Sequence, residues 1–283
     1  RLGATSLPQL PRHPGDRSRT SPFAFTCNKF EFRAVGSTAS IAWPNTVLNT
    51  IVTESLDWMA GELEKAAGKN PTPAKQQAAV LAVLKKVLKE HKRVIFDGDN
   101  YSPEWHEEAA RRGLPIFGDS VEAFPALTTK KNMDLFKKYG VLDKAELESR
   151  AAITVEKFIK QLTIEAEMMA SLARTHILPA ALEHQTMLAD AVASTEAAGV
   201  DPGETRGALK DFAGLVNRFR AAIQALEKAT AHHDGDPMTH ARHIKKAVRP
   251  AMGEVRTLAD QLEAQVTADL WPFPTYRDLL LLK

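Results

Sequence analysis

Leu209-Lys210-Asp211-Phe212-Ala213-Gly214-Leu215-Val216-Asn217-Arg218-Phe219-Arg220-Ala221-Ala222-Ile223-Gln224-Ala225-Leu226 places apolar side chains at Leu209, Phe212, Val216, Phe219, Ile223 and Leu226, in alternating steps of three and four. Such steps return to one face of a helix, so the stretch predicts a helix over 204–230 with one continuous buried stripe. A second stripe, Ala241, Ile244, Val248, Ala251, Val255, Leu258 and Leu262, predicts a helix over 239–268 interrupted at Pro250. Upstream, Glu146 to Thr175 and Leu178 to Ala198 are two further amphipathic stretches, with a bend predicted at Pro179. Two heptad-like stripes of this regularity predict antiparallel bundle or coiled-coil packing. Neither stripe carries an inward chemical group, so this half reads as packing or assembly rather than chemistry.

Before Asp143 the helices are shorter. Pro44 opens one whose positions Val47, Leu48, Ile51, Val52, Leu56 and Met59 predict a buried face, and Pro73 to Lys92 repeats the pattern with Val80, Leu81, Val83, Leu84 and Leu88. The basic run Lys85, Lys86, Lys89, Lys92 and Arg93 reads as a solvated face. Asp97, Asp99 and Glu108 have the spacing of a calcium loop, but Ser102 stands where that loop needs Gly and Pro103 follows it. The segment is therefore expected to be a turn that caps a helix from Pro103 to Arg112. Short helices are predicted from Ser120 and over Thr128 to Tyr139, the latter stopped by Gly140.

The chemistry-bearing stretch is Asn28-Lys29-Phe30-Glu31-Phe32-Arg33. On a strand Lys29, Glu31 and Arg33 share one face and Phe30 and Phe32 the other. A carboxylate between two cations can hold a divalent metal beside a phosphate, with the arginine fork gripping phosphoryl oxygens. A half-buried edge strand with a solvated charged face shows the same alternation, so spacing alone leaves both readings open. Residues 1–22, rich in Pro, Arg and Ser, read as an extended loop in which Arg17 and Arg19 are either solvated or anion-gripping.

Formal net charge is +2 with acids and bases interspersed, which names neither a nucleic-acid nor a membrane partner. No apolar run has the length of a membrane span and no signal peptide is evident, so a cytoplasmic location is expected. The single cysteine, Cys27, excludes an internal disulfide. The first residue is Arg, which reads as a fragment or a trimmed reading frame. His232, His233, Asp234, Asp236, His240 and His243 could bind zinc or nickel, and equally describe a polar loop between helices.

Residues 16–52 (DRSRTSPFAFTCNKFEFRAVGSTASIAWPNTVLNTIV) resemble the C-terminal part of the catalytic domain of type III glutamine synthetases. So do FDGDNYSPEWHEEA from Phe96, RGLP from Arg112 and LWPFPTYR from Leu270. The resemblance implies an α+β but predominantly α-helical fold: residues 1–140 as the truncated end of a catalytic domain with a short β segment, and residues 141–283 as a long-helix bundle or coiled-coil domain. In that family ATP phosphorylates the side-chain carboxylate of L-glutamate and ammonia displaces the phosphate. By resemblance Glu31 would ligate magnesium or manganese, Arg33 would stabilise the transferring phosphoryl group, and Lys29, Arg19 and Arg17 would sit near the ATP phosphates. Cys27 and Trp43 stand where the family usually has Gly. The other metal ligands of the family lie upstream, so the chain is expected to be inactive by itself, in a family that forms ring homo-oligomers. The alternatives are a non-catalytic helical scaffold derived from such an enzyme, or a different phosphate-handling enzyme that reuses the strand. Two further expectations are that the strand lacks a sheet partner and that residues 140–283 fold as an independent helical unit.

Overall fold

The 3.6-residue periodicity is realised almost throughout. A computed structural model describes residues 23–25, 30–32, 39–96, 102–232, 235–274 and 276–281. Two short strands, β1 (Phe23–Phe25) and β2 (Phe30–Phe32), precede the helices α1 (Ala42–Ala67), α2 (Pro73–His91), α3 (Pro103–Arg111), α4 (Ser120–Leu127) and α5 (Lys130–Lys138). The long helices α6 (Lys144–Leu172), α7 (Leu178–Ala197) and α8 (Gly203–Thr230) follow, then α9 (Pro237–His243), α10 (Arg249–Glu263) and the terminal α11 (Tyr276–Leu281). The chain divides into two units with breaks at Gly118/Asp119, Thr129/Lys130 and Asp143/Lys144. One holds β1, β2, α1 to α3 and α5; the other holds α4 and everything from α6 onward.

The second unit is built around α8. Its stripe is buried as the spacing requires: Phe212, Val216, Phe219, Ile223 and Leu226 are enclosed, with Phe219 at 0% exposure, while Leu209 is half-buried. Facing it, α6, α7 and the turn between them contribute Ala166, Ala170, Ala173 and Ala181 to the same core, and α10 contributes Val255, Leu258 and Leu262. Small residues on one helix let the large ones of the next fill the space between backbones at interior density. A smaller cluster, Val121 and Phe124 of α4 with Val155 and Ala241, closes one end. There Phe124 meets Phe158 edge to face at 5.6 Å, and Lys245 bonds Asp119 at 2.9 Å and also Glu122.

Both expected helix interruptions are absorbed rather than broken. Proline lacks an N–H and its ring crowds the carbonyl four residues back. The helix widens just before each one: Ala173–Ile177 and Ile244–Val248 are π turns, in which Leu178 N–H reaches the Ala173 carbonyl and Arg249 N–H the Ile244 carbonyl. The step of five removes the bond that Pro179 or Pro250 could not make. The helical path therefore runs on, and both turns keep apolar residues, Ala173 and Ile177, Ile244 and Val248, in the core.

In the first unit, α1 packs on α2 and α5. Here the stripe reading needs correction. Thr50, whose hydroxyl donates to the Thr46 carbonyl at 2.7 Å, is the buried residue of α1, whereas Ile51 and Leu56 are 46% and 61% exposed. On α2 only Ala79 and Val83 are buried, with Val80, Leu81 and Leu88 exposed. A helix in a three-helix arrangement has a narrow covered arc, so part of a wide apolar face stays outside it. Trp43, half-buried, stacks on Phe136 of α5 with centroids 6.0 Å apart, so α5 provides the room that a side chain larger than Gly requires there. Gly140 ends α5 at φ +61°, with its N–H on the Lys137 carbonyl and that of Val141 on Phe136. Only Gly adopts that conformation without strain.

Phe219→Ala is expected to lower unfolding free energy by about 3–5 kcal/mol in urea titrations, since the site is sealed on all sides. A chain of residues 119–283 should melt at a higher temperature than one of residues 140–283. The shorter chain lacks α4 and leaves Val155, Phe158 and Ala241 uncovered.

Candidate functional site

Glu31, the carboxylate singled out as a metal ligand, lies in β2. The strands pair antiparallel with Phe23 opposite Phe32, Ala24 opposite Glu31 and Phe25 opposite Phe30. This corrects the expectation of a strand without a partner. The signal was available: Phe23-Ala24-Phe25 shows the alternation of Phe30-Glu31-Phe32 seven residues earlier, with four residues between the two runs, and two alternating runs joined by a short connection read as a hairpin. Arg17, Arg19, Lys29 and Arg33, together with Cys27, lie outside the described residues.

The segment from Phe96 forms a latch. Ser102 caps α3 by accepting from Trp105 N–H at 3.4 Å, as the turn reading required; Asp97 and Asp99 lie outside the described residues. The ring of Phe96 lies 4.4 Å from that of Trp105, and the Arg112 guanidinium sits over the Trp105 ring at 5.7 Å. Arg112 also donates to the carbonyls of Arg93 at 3.1 Å and Ile95 at 2.8 Å, and pairs with Glu108. Arg112 foremost, and Arg111 with it, hold the Glu108 carboxyl below its usual range. Glu108, twelfth in the calcium spacing, is thus engaged in an ion pair. These residues fix the chain before α3 to the end of that helix.

A second cluster joins α1 to α5 and was not anticipated. Lys138 donates to Glu54 at 2.7 Å and Asp57 at 2.9 Å, while the Tyr139 hydroxyl donates to the same two oxygens at 2.6 and 2.9 Å. Glu54 and Asp57 are one turn apart, so two carboxylates share an ammonium and a phenol. The Lys138 hydrogen bond, then that of Tyr139, lowers both carboxyl pKa values, and the Glu54 bond is the main cause of the rise at Lys138. A lysine held so firmly protonated cannot act as a base, and the cluster works as a clamp. Within the basic run of α2, Lys86 bonds Glu62 at 2.6 Å and lies 5.0 Å from the Trp58 ring, while its neighbours are exposed.

The histidine-rich segment is used structurally. Asp236 caps α9, accepting from Thr239 N–H at 2.8 Å and its hydroxyl at 2.7 Å. His243 Nε2 lies 2.8 Å from the Ala229 carbonyl, and its ring is 4.3 Å from that of His232. His233 and Asp234 lie outside the described residues. Among the described residues no three His, Cys, Asp or Glu side chains converge on a point where a metal could bind, and no described helix is long and apolar enough to cross a membrane.

Residues 79–196, from α2 into α7, match the family described as glutamine synthetase C-terminal domain. The chain is 38% identical over 291 aligned residues to the type-3 glutamine synthetase of Dictyostelium discoideum, an alignment covering 100% of the chain and 39% of that protein. It is 29% identical to a glutamine synthetase of Bacteroides fragilis (strain YCH46), across 100% of the chain and 40% of the relative. A glutamine synthetase of Butyrivibrio fibrisolvens is 30% identical across 94% of the chain and 38% of its own length. The chain thus spans about two-fifths of the length of the curated relatives it matches.

The clamp predicts a pH effect. In the folded chain Glu54 and Asp57 titrate below their ordinary values of 4.5 and 3.8. Their contribution is therefore complete above those values and is lost as pH falls through the depressed ones. Lys138→Met should flatten the acid limb: melting temperature should fall less between about pH 5 and about pH 3 than in the parent chain.

Proposed function

We propose, from the match of residues 79–196 to the glutamine synthetase C-terminal domain family, that the chain is part of a type-3 glutamine synthetase, a cytoplasmic enzyme that joins ammonia to L-glutamate at the expense of ATP. The observation that carries this reading is similarity across the whole chain, strand motif included, to a type-3 enzyme. The residues before the match at 79–196 are then the end of the catalytic domain, with β1 and β2 belonging to its sheet, and the chain from residue 79 onward belongs to its C-terminal helical domain.

The reaction gathers anionic oxygens from two phosphoryl groups and a carboxylate, so its site must supply positive charge. Bound magnesium or manganese would supply part of it. Glu31 offers a hard oxygen donor of the type both ions take. One carboxylate fills only one or two of about six positions, so the remaining ligands belong to other parts of the enzyme. Arg33 would grip the phosphoryl oxygens bidentately, and Lys29, Arg19 and Arg17 would line the nucleotide phosphates. On this reading the chain supplies one wall of the site and makes no glutamine unaided.

The helical half has a structural part in that enzyme, within a ring homo-oligomer. Among the described residues Thr50 is the one buried polar side chain, and it lies in α1; at the core around α8 the half-buried His184 sets its ring edge to face on Phe212 at 4.9 Å.

In the full-length enzyme, Glu31→Ala should lower kcat for glutamine formation from glutamate, ammonium and ATP by about 100-fold or more, with the loss partly offset by excess manganese. The chain as given should form no glutamine while keeping its helical circular dichroism. Glutamine formed by the chain alone and abolished by Glu31→Ala would overturn the incomplete-site account.

A further inference from the structure

The segment Leu270 to Pro274 has no part in the chemistry above, yet it builds a wall. Trp271 and Phe273 pack on the core around α8, their rings 6.3 Å apart and inclined at 71°, and Phe273 stacks on His176 of the first π turn at 6.2 Å. Between this segment, α6 and α10 lies an open groove of about 770 Å³. Its floor is Ala173, Ile177, Val255 and Ala259, where the π turn and α10 approach on small residues. Met168, Met169 and Met252 line the sides, and Met168 is 55% exposed. Methionines adapt to a bound shape and make favourable contacts with aromatic rings. The volume is that of a small-molecule site between helices, apolar with few polar groups.

The rim decides the ligand's charge. Among the described residues that line it, Glu165, Asp260 and Glu263 stand with Arg256, which bonds Asp260 at 2.6 Å. Two carboxylates therefore remain in excess over the guanidinium among these four. A groove lined by both aromatic rings and carboxylates favours an ammonium group, which is drawn to ring faces and acids alike. We propose that this groove binds an amphiphilic ammonium compound: a hydrocarbon or aromatic body on the apolar floor between the methionines, ending in a protonated or quaternary amine against Glu165 and Glu263.

The test is calorimetric titration of the full chain with decyltrimethylammonium, below its micelle concentration, with decyl sulfate as the matched anion and circular dichroism recorded throughout. Saturable one-to-one binding of the cation is expected, with the anion about ten-fold weaker or worse. Glu165→Gln with Glu263→Gln should weaken the cation about ten-fold and leave the anion unweakened. Met168→Lys, at an exposed position, should do the same to the cation. Absence of saturable binding, equal binding of both ions, or insensitivity to these substitutions would overturn the assignment. So would displacement of the cation by a basic amphipathic peptide that binds more tightly, which would make the groove a helix-docking site. Loss of binding with rising protein concentration, alongside self-association in sedimentation, would assign it instead to a second copy of the chain.

Discussion

The fit of large residues on α8 against alanines on α6 and α7 governs the second unit. Phe212, Phe219, Ile223 and Leu226 occupy the space that Ala166, Ala170, Ala173 and Ala181 leave open. That fit requires the alanine face to stay in phase across Pro179, which an α-helix could not do with a proline in its interior. The π turn meets the requirement, because one extra residue per turn removes the clash without turning the core face away. Arg174, within that turn, then forms a bidentate pair with Glu227 of α8 at 2.9 and 2.6 Å, outside the core it flanks. The groove beside Trp271 exists for the same reason, since its floor is the small-residue surface at the turn.

The first unit is held differently. Its buried apolar set is small, and specific contacts between pairs of helices do much of the positioning: Lys138 and Tyr139 on Glu54 and Asp57, Trp43 on Phe136, and Arg112 with Trp105 and Phe96. Exposed ion pairs of this kind contribute little each, because water already solvates both partners. Their effect is geometric: a carboxylate pair one turn apart accepts an ammonium and a phenol together only in one register of α5 on α1. The exposed Val80, Leu81 and Leu88 of α2 are left outside that arrangement.

Two stretches whose composition suggests a metal site hold their described polar residues in structural contacts. The segment from Phe96 to Arg112 reads as acidic and suggestive of a metal, yet its Glu108 pairs with arginines and its Ser102 caps a helix. The His232 to His243 region likewise spends Asp236 on a cap and His243 beside a backbone carbonyl. In both places an isolated helix end needs its first N–H groups satisfied, and the nearest short polar side chain serves that need before any ligand.

What the sequence by itself determined is the helical framework. Apolar side chains at steps of three and four specify which face of α8 and α10 is buried, because periodicity is a property of the chain alone. It determined as well the alternation that puts Glu31 apart from Phe30 and Phe32, and the glycine stop at Gly140. Tertiary structure decided what depends on who stands opposite. It chose Thr50 over Ile51 and Leu56 as the buried residue of α1, since burial follows the arc a neighbour covers, and it paired β2 with β1. It assigned α4 to the bundle that follows rather than to the helices beside it in sequence. It also turned two prolines from helix breakers into π turns, because the core beyond each one rewards keeping the helix more than a local break would.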